Sequence, residues 1–496
     1  MPVLGVLLAG YAWQTTVPER AAVLPSMLAE IALWTAILVS LILRHPDYQL
    51  RVSEPALSVL GWMFYYFLKP TFAWLTGRRF MFEGSSTVIL EPEIVTRVQQ
   101  LHMLFMVGFF GAYLALAPRV VISEEGQRDR LRRLPNVWPF VLIGLLPYIT
   151  EVGGRILTTG SILPTKNYGD ATFDSFDAIS ASRAEGGADY LLTQILSKLW
   201  FFPLAALGMG YGVVLARLIS AARWGLTLLF FTQVPLLFIL GSGSRSYVVF
   251  PFLMAIMVAD VLAGPFRWRF FLPIIAVGLP IIEFYGVFRG HQDLGIRGAV
   301  DASQEQIASE ADLVNTEDSG MLVKEAFCVL YADHTRQFRG LEYFLDAVLL
   351  VLPAQVVPDK ARITVTANFL SDVFLGFAAT RGAGLAGTAV GDGYMIAGEI
   401  GVLALAAIMG AMFSLVLRTG VSNRGLMRGP VIWRFVYTLL FATQVTQYIR
   451  ADLSLALSYL LYFLALPYAL VRALEGTLVS ATSFWMERLS IERGAR

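Results

Sequence analysis

Residues 240–290 read LGSGSRSYVVFPFLMAIMVADVLAGPFRWRFFLPIIAVGLPIIEFYGVFRG, and this stretch decides the fold class. Two apolar runs of about 20 residues each, the length of a bilayer-crossing helix, are joined by the basic turn Pro265-Phe266-Arg267-Trp268-Arg269. Read as a helical hairpin, the stretch carries Arg245 at the start of the first helix and Arg289 at the end of the second, so both arginines lie at one membrane face. Lys and Arg are concentrated on the cytoplasmic side of membrane proteins. With the basic turn placed there, Arg245 and Arg289 face outward, where topology alone disfavours them, and an outward arginine pair points to anion chemistry. The polar segment of roughly 100 residues after Arg289, without a clean membrane span, is where a substrate could be held against those charges.

Working outward, the whole chain has the same character. Its 496 residues are 56% hydrophobic and 15% charged, with a mean hydropathy of +0.63, whereas soluble domains are about one quarter charged. The chain is expected to be an all-helical, polytopic membrane protein forming a single integral domain over residues 1–496. A net charge of +1 excludes the strong basic excess of a nucleic-acid binder, which leaves membrane lipids and lipid-linked molecules as the expected partners. The single cysteine, Cys328, allows no intrachain disulfide and reads as a packing residue.

Hydropathy places candidate spans at 2–14, 21–43, 55–76, 98–118, 136–152, 197–217, 224–241, 246–264, 270–288, 394–417, 431–449 and 452–472, about twelve in all. Residues 2–14 are short for a span and could instead lie in the interface. Loops rich in arginine (Arg119 to Arg133; Arg217 and Arg223; Arg267 and Arg269; Arg418, Arg424 and Arg428) fall on one side by alternation. Both termini are then cytoplasmic, and 77–97, 153–196 and 289–393 face outward. Gly208 and Gly212 read as a close helix-packing contact. Residues 476–492 read as a C-terminal interfacial amphipathic helix, with Leu478, Trp485, Met486 and Leu489 on one face.

The outer segment 289–393 has internal order. It opens with an acidic strip (Asp301, Glu305, Glu310, Asp312, Glu317, Asp318) expected to be solvated or mobile. Residues Leu341–Leu352 form a helix candidate stopped by Pro353, of a length that suits a surface-lying element. Residues 365–377 carry Phe369, Leu370, Val373, Phe374 and Phe377 at helical spacing. A glycine series from Gly382 to Gly393 permits tight turns before the next span.

Several residues have the chemistry of a site. In Gly241-Ser242-Gly243-Ser244-Arg245, backbone N–H groups and the Ser244 hydroxyl could converge on an anion beside the guanidinium, which would suit a diphosphate. The competing reading for Arg245 and Arg289 is an arginine reaching to lipid headgroups. Glu283, about two turns inside the same helix as Arg289, is a costly intramembrane carboxylate, either functional or paired with a nearby arginine. His334, followed by Arg336, could act as a general base or orient a hydroxyl, or be a solvated histidine. Asp392 and Glu399, flanking Tyr394, could accept hydrogen bonds from sugar hydroxyls or take a proton, and Asp392 equally fits helix N-terminal charge compensation. Lys360, Arg381 and Arg450 are further outward cations. No HExxH pair, phosphate-binding loop or dinucleotide fingerprint occurs, so no metal or cofactor is expected.

Gly243-Ser244-Arg245 opening a span, Phe288-Arg289-Gly290 closing the next, Leu352-Pro353 through Val357-Pro358-Asp359-Lys360, and Gly391-Asp392-Gly393-Tyr394 through Gly398-Glu399-Ile400-Gly401 together resemble the oligosaccharide repeat-unit polymerases of the O-antigen polymerase (Wzy-type) family. The resemblance covers the latter half of the chain. It implies a GT-C-like helical fold in the bacterial inner membrane and a metal-independent glycosyltransferase acting at the periplasmic face. The substrates implied are undecaprenyl-diphosphate-linked glycans, with a chain-length regulator and a flippase of the same pathway as partners. Under it, Arg245 and Arg289 hold the diphosphate. The alternatives are an O-antigen ligase-like transferase and a polysaccharide or lipid transporter.

Overall fold

The computed structural model describes residues 2–44, 54–81, 87–117, 138–162, 201–217, 246–263, 280–281, 284–285, 288–309, 313–315, 321–335, 337–352, 357, 388–421, 449 and 453–458. These are mostly helical. In chain order the helices are α1 (Pro2–Thr15), α2 (Leu24–Leu43), α3 (Pro55–Met63), α4 (Lys69–Leu75), α5 (Pro92–Leu116), α6 (Trp138–Thr159), α7 (Phe201–Arg217), α8 (Ser246–Ala263), α9 (Gly295–Ser309), α10 (Met321–Thr335), α11 (Gly340–Val351), α12 (Ala389–Val421) and α13 (Leu453–Ser458). A 3₁₀ turn (Pro18–Val23) leads into α2, a π-helical turn (Phe64–Leu68) joins α3 to α4, and a second 3₁₀ segment (Arg289–Leu294) precedes α9.

Three stretches among the described residues, Pro18–Leu43, Pro92–Leu116 and Ala389–Leu415, are long and apolar enough to cross a membrane, which makes this a membrane protein. Helix α5 stands at the centre. Its buried positions Val95, Val98, Leu101, His102, Phe105, Met106, Phe109 and Tyr113 recur every three or four residues, so one broad stripe faces the core. Against that stripe pack α12, α2 and α10.

Glycines set how closely the helices approach. A Cβ on Gly108 would stand 2.7 Å from the Leu403 carbonyl oxygen, and one on Gly410 would stand 2.9 Å from the Phe109 carbonyl carbon, so α5 and α12 meet backbone to backbone. The pair Gly208 and Gly212 does the same for α7 against α8, where added Cβ atoms would meet Pro251, Met254, Ala255 and Val258. This is the tight packing expected of that spacing.

Two differences from the sequence reading concern residues 289–393. Its acidic strip is not simply solvated chain: Gly295–Ser309 is helical, and Leu313–Asn315 is a strand. That strand, β3, runs parallel to β1 (Arg79–Met81), pairing Arg79 with Leu313, while β2 (Thr87–Val88) lies antiparallel on the other edge. The all-helical expectation therefore gains a small sheet that ties residues 79–88 to 313–315. The acidic side chains Asp301 and Glu305 are exposed.

The second difference is α10, which the sequence reading did not separate from its surroundings. Every residue from Met321 to Val329 is buried, because α5 and α12 flank it. Cys328 is a free, buried packing residue of this helix. Helix α11, by contrast, buries Tyr343 and Ala347 and exposes Leu341, Phe344, Leu345 and Leu349 on its opposite face, as a helix lying on a bundle beside lipid would. The candidate spans 224–241, 270–288, 431–449 and 452–472, the helix candidate 365–377 and the C-terminal helix 476–492 lie wholly or largely outside the described residues.

The glycine contacts give a stability prediction. Gly108→Leu forces side-chain atoms into the Leu403 carbonyl and should destabilise the bundle by about 1–3 kcal/mol or more. Gly111→Ala, on the open face with nothing within 4 Å, should be neutral or stabilising by up to about 1 kcal/mol. Thermal unfolding of the detergent-solubilised protein distinguishes the two.

Candidate functional site

The stretch Gly391-Asp392-Gly393-Tyr394 to Gly398-Glu399-Ile400-Gly401 does not simply open a straight span. Helix α12 breaks at Ala397 (φ −155°, ψ 34°) and Gly398 (φ 61°, ψ −142°). The positive φ at Gly398 is a conformation that a Cβ would disfavour. In a straight helix, residues eight apart are about 12 Å apart along the axis. Here a Cβ on Gly393 would stand 2.7 Å from the Val402 Cα and 3.1 Å from the Gly401 carbonyl oxygen, so the first limb folds back against the second. The expected span from 394 falls within the apolar stretch Ala389–Leu415, but it is not one straight helix, since the chain reverses at Ala397 and Gly398 inside it.

The reversal is pinned from three sides. Asp392 is buried, accepting a hydrogen bond from the Tyr343 hydroxyl of α11 at 2.6 Å and another from the Leu453 N–H at the start of α13. The Arg339 N–H donates to the Met395 carbonyl at 2.9 Å. The Phe338 ring stands edge-on to Tyr394, centroids 5.7 Å apart, and covers Gly398. The turn between α10 and α11 is thereby seated on the break.

At the outer rim of this turn, charged groups from three helices meet. Arg97, early in α5, forms an ion pair with Glu399 at 2.6 Å, with side-chain exposures of 39% and 49%. The Tyr394 hydroxyl donates to Asp333 Oδ1 at 3.3 Å and also meets Arg97. His334 follows Asp333 at the end of α10 and is exposed. Arg97 further lines an open hollow of about 360 Å³ with Ala22, Pro92, Glu93, Thr96 and Gln100. One cation, two carboxylates and an imidazole in reach of solvent, with the buried Tyr394 phenol behind them, can orient a polyhydroxylated or anionic group and accept a proton from a hydroxyl.

Of the residues singled out from sequence, the structure brings together His334, Asp392, Tyr394 and Glu399. They divide in position: Asp392 is buried, whereas Glu399 and His334 are exposed. Arg289 opens the 3₁₀ segment Arg289–Leu294. Ser244, Arg245, Glu283, Arg336, Lys360, Arg381 and Arg450 lie outside the described residues. Sequence reasoning missed Arg97 and Asp333. The signal for Arg97 was a charge at the edge of a span expected from 98, whereas the helix begins six residues earlier at Pro92; Asp333 sits beside His334. Comparison with family models, curated proteins and solved structures finds no match, so the chemistry of this rim carries the functional argument.

Behind the rim, the Cys328 thiol lies 2.8 Å from where a Gly391 Cβ would stand. Burial first, then the Asp392 and Glu325 carboxylates, push this thiol well above its ordinary value. A thiol so held is a poor nucleophile, so Cys328 should resist maleimide in the native protein and label only after denaturation. A second expectation separates the two acids. Asp392→Ala leaves the buried Tyr343 hydroxyl and the Leu453 N–H without their acceptor and should cost about 2 kcal/mol or more. Glu399→Ala, on the exposed rim, should leave the unfolding temperature nearly unchanged.

Proposed function

We infer that this chain is a metal-independent membrane glycosyltransferase that polymerises oligosaccharide repeat units carried on undecaprenyl diphosphate, at the periplasmic face of the bacterial inner membrane. The observation that carries the reading is the meeting of Arg97, Asp333 and Glu399, with His334 adjoining, at the exposed rim of a broken helix, over the buried Tyr394 hydroxyl. The chemistry requires little more than such a rim. A sugar hydroxyl of the incoming unit loses its proton to His334 or Asp333 and attacks the anomeric carbon of the growing chain. The bond to the lipid diphosphate breaks, and the leaving group departs with its electron pair and growing negative charge. Arg97 and the Tyr394 hydroxyl are donors suited to that charge, and Glu399 orients the Arg97 guanidinium. Arg245 and Arg289 complete the proposal as the diphosphate clamp.

The sheet supports the topology this needs. Because β1 pairs with β3, residues 79–81 and 313–315 share one side of the membrane. The proposal places that side outside, within a polytopic, GT-C-like bundle of about twelve spans whose termini are both cytoplasmic. One observation favours a second reading: a helix broken beside polar groups is also how transporters build substrate sites.

Lipid-linked glycans from a deletion strain separate the readings. The polymerase reading expects single repeat units to accumulate on the lipid. Long unattached chains would indicate a ligase instead, and substrate retained on the cytoplasmic side a transporter. In complemented strains at matched membrane levels, His334→Ala should lower polymer formation by about 10² if His334 is the base. For the clamp, Arg245→Lys should fail nearly as badly as Arg245→Ala, since Lys keeps the charge and loses the bidentate fork; an active Arg245→Lys enzyme would return Arg245 to the lipid headgroups.

A further inference from the structure

Deep in the bundle, three titratable side chains from three helices meet with no exposure to solvent: Glu30 of α2, His102 of α5 and Glu325 of α10. His102 Nδ1 stands 3.2 Å from Glu30 Oε1, and Nε2 stands 2.5 Å from Glu325 Oε2. Around them, Gln99 donates to Glu30 Oε2 at 3.3 Å. The Phe67 ring lies flat over the imidazole, centroids 4.1 Å apart and planes within 9°. Phe67 is delivered by the π-helical turn Phe64–Leu68, the kind of local distortion that accompanies functional sites more often than plain packing.

Counting protons shows what this cluster lacks. Each of the two imidazole–carboxyl contacts needs one proton between nitrogen and oxygen. Two protons satisfy both, whether as an imidazolium between two carboxylates or as a neutral imidazole with one protonated glutamate. Either arrangement leaves a net charge of −1 in a solvent-free, largely apolar bundle, where an uncompensated charge is costly. Of the neighbouring ionisable groups, Cys328 lies one turn along α10, Asp392 beyond it is engaged with Tyr343, and Lys324 beside Glu325 is a buried cation with an interaction of its own. A third proton would make the cluster neutral. Three of the four carboxyl oxygens are occupied, by His102 twice and by Gln99 once, and the fourth, Glu325 Oε1, is buried without a hydrogen-bond partner.

We propose that Glu30, His102 and Glu325 form a membrane-embedded proton-binding site, which loads one proton from solvent water onto Glu325 Oε1 and passes between net charges of −1 and zero. The proposal is independent of the glycosyltransferase reading. Among the described residues no group of His, Cys, Asp or Glu has the arrangement of a metal site.

Infrared difference spectra of the purified full chain in lipid nanodiscs, recorded across a pH titration, test it. A Glu325 protonated on Oε1, its Oε2 carbonyl accepting from His102 Nε2–H, should give a carboxylic-acid C=O stretch that develops as the pH falls. The band should be lost in Glu325→Gln and kept in the exposed control Glu93→Gln. If Glu325→Gln does not fold, Glu30→Gln supplies the second arm, because an imidazolium and one carboxylate already balance. At the pH where the wild-type band is half developed, Glu30→Gln should then show none. A wild type without such a band at any pH at which it stays folded overturns the site, as does a band that survives Glu325→Gln, or one that persists in folded Glu30→Gln at that pH.

Discussion

The backbone contact between Gly393 and the pair Gly401-Val402 is the constraint on which the rest of the rim depends. A side chain at 393 or 401 would drive the limbs of α12 apart, since each Cβ would fall inside backbone atoms of the opposite limb. With the limbs together, successive residues of the short limb face in different directions. Asp392 turns inward to Tyr343 and the Leu453 N–H, while Tyr394 reaches Asp333 and Arg97. The reversal thus converts two neighbouring polar residues into one structural anchor and one member of a site.

The energetics agree with that division. A buried carboxylate accepting two hydrogen bonds is expensive to disturb, because its donors lose their partner without gaining water. The Arg97–Glu399 pair is half exposed, and exposed pairs contribute about 0–1 kcal/mol. It therefore has little value as a cross-link. Its effect is on direction: it fixes a guanidinium beside the Tyr394 hydroxyl, where the close approach of α5 and α12 has already brought the two helices together. The close approach rests on Gly108 and Gly410, more than ten residues away in sequence from the charges it positions.

Much of this was legible in the sequence, and the reasons differ by element. Long apolar runs located helices α2, α7 and α8, expected over 21–43, 197–217 and 246–264 and described over Leu24–Leu43, Phe201–Arg217 and Ser246–Ala263; of these, α2 lies in a stretch long and apolar enough to cross a membrane. The glycine spacing of α7 gave its packing. Helix α10 was hidden because Lys324, Glu325 and Asp333 interrupt its apolar pattern; only its neighbours bury it. The glycines of α12 announced freedom to turn without saying that the chain would reverse. Strands of two and three residues are too short to show alternation. The Glu30–His102–Glu325 cluster joins three distant parts of the chain. Its trace in the sequence was Glu30 and His102 inside apolar runs, where a titratable group is costly, while Glu325 sits in the interrupted pattern of α10.

Helix α10 joins the two polar places. Glu325 meets His102 at one end, Cys328 packs against Gly391 in the middle, and Asp333 meets Tyr394 at the other. Eight residues of helix separate Glu325 from Asp333, a rise of about 12 Å. Between them the helix is buried through Val329 and has no slack: the Cys328 sulfur occupies the space that any side chain at 391 would need. A helix held this tightly moves as a rod or not at all. A change in how strongly Glu325 is drawn to His102 would act on the same rod that presents Asp333 and His334 to the rim. The buried cluster and the exposed site are therefore mechanically adjacent, although no side chain of one touches a side chain of the other in the described contacts.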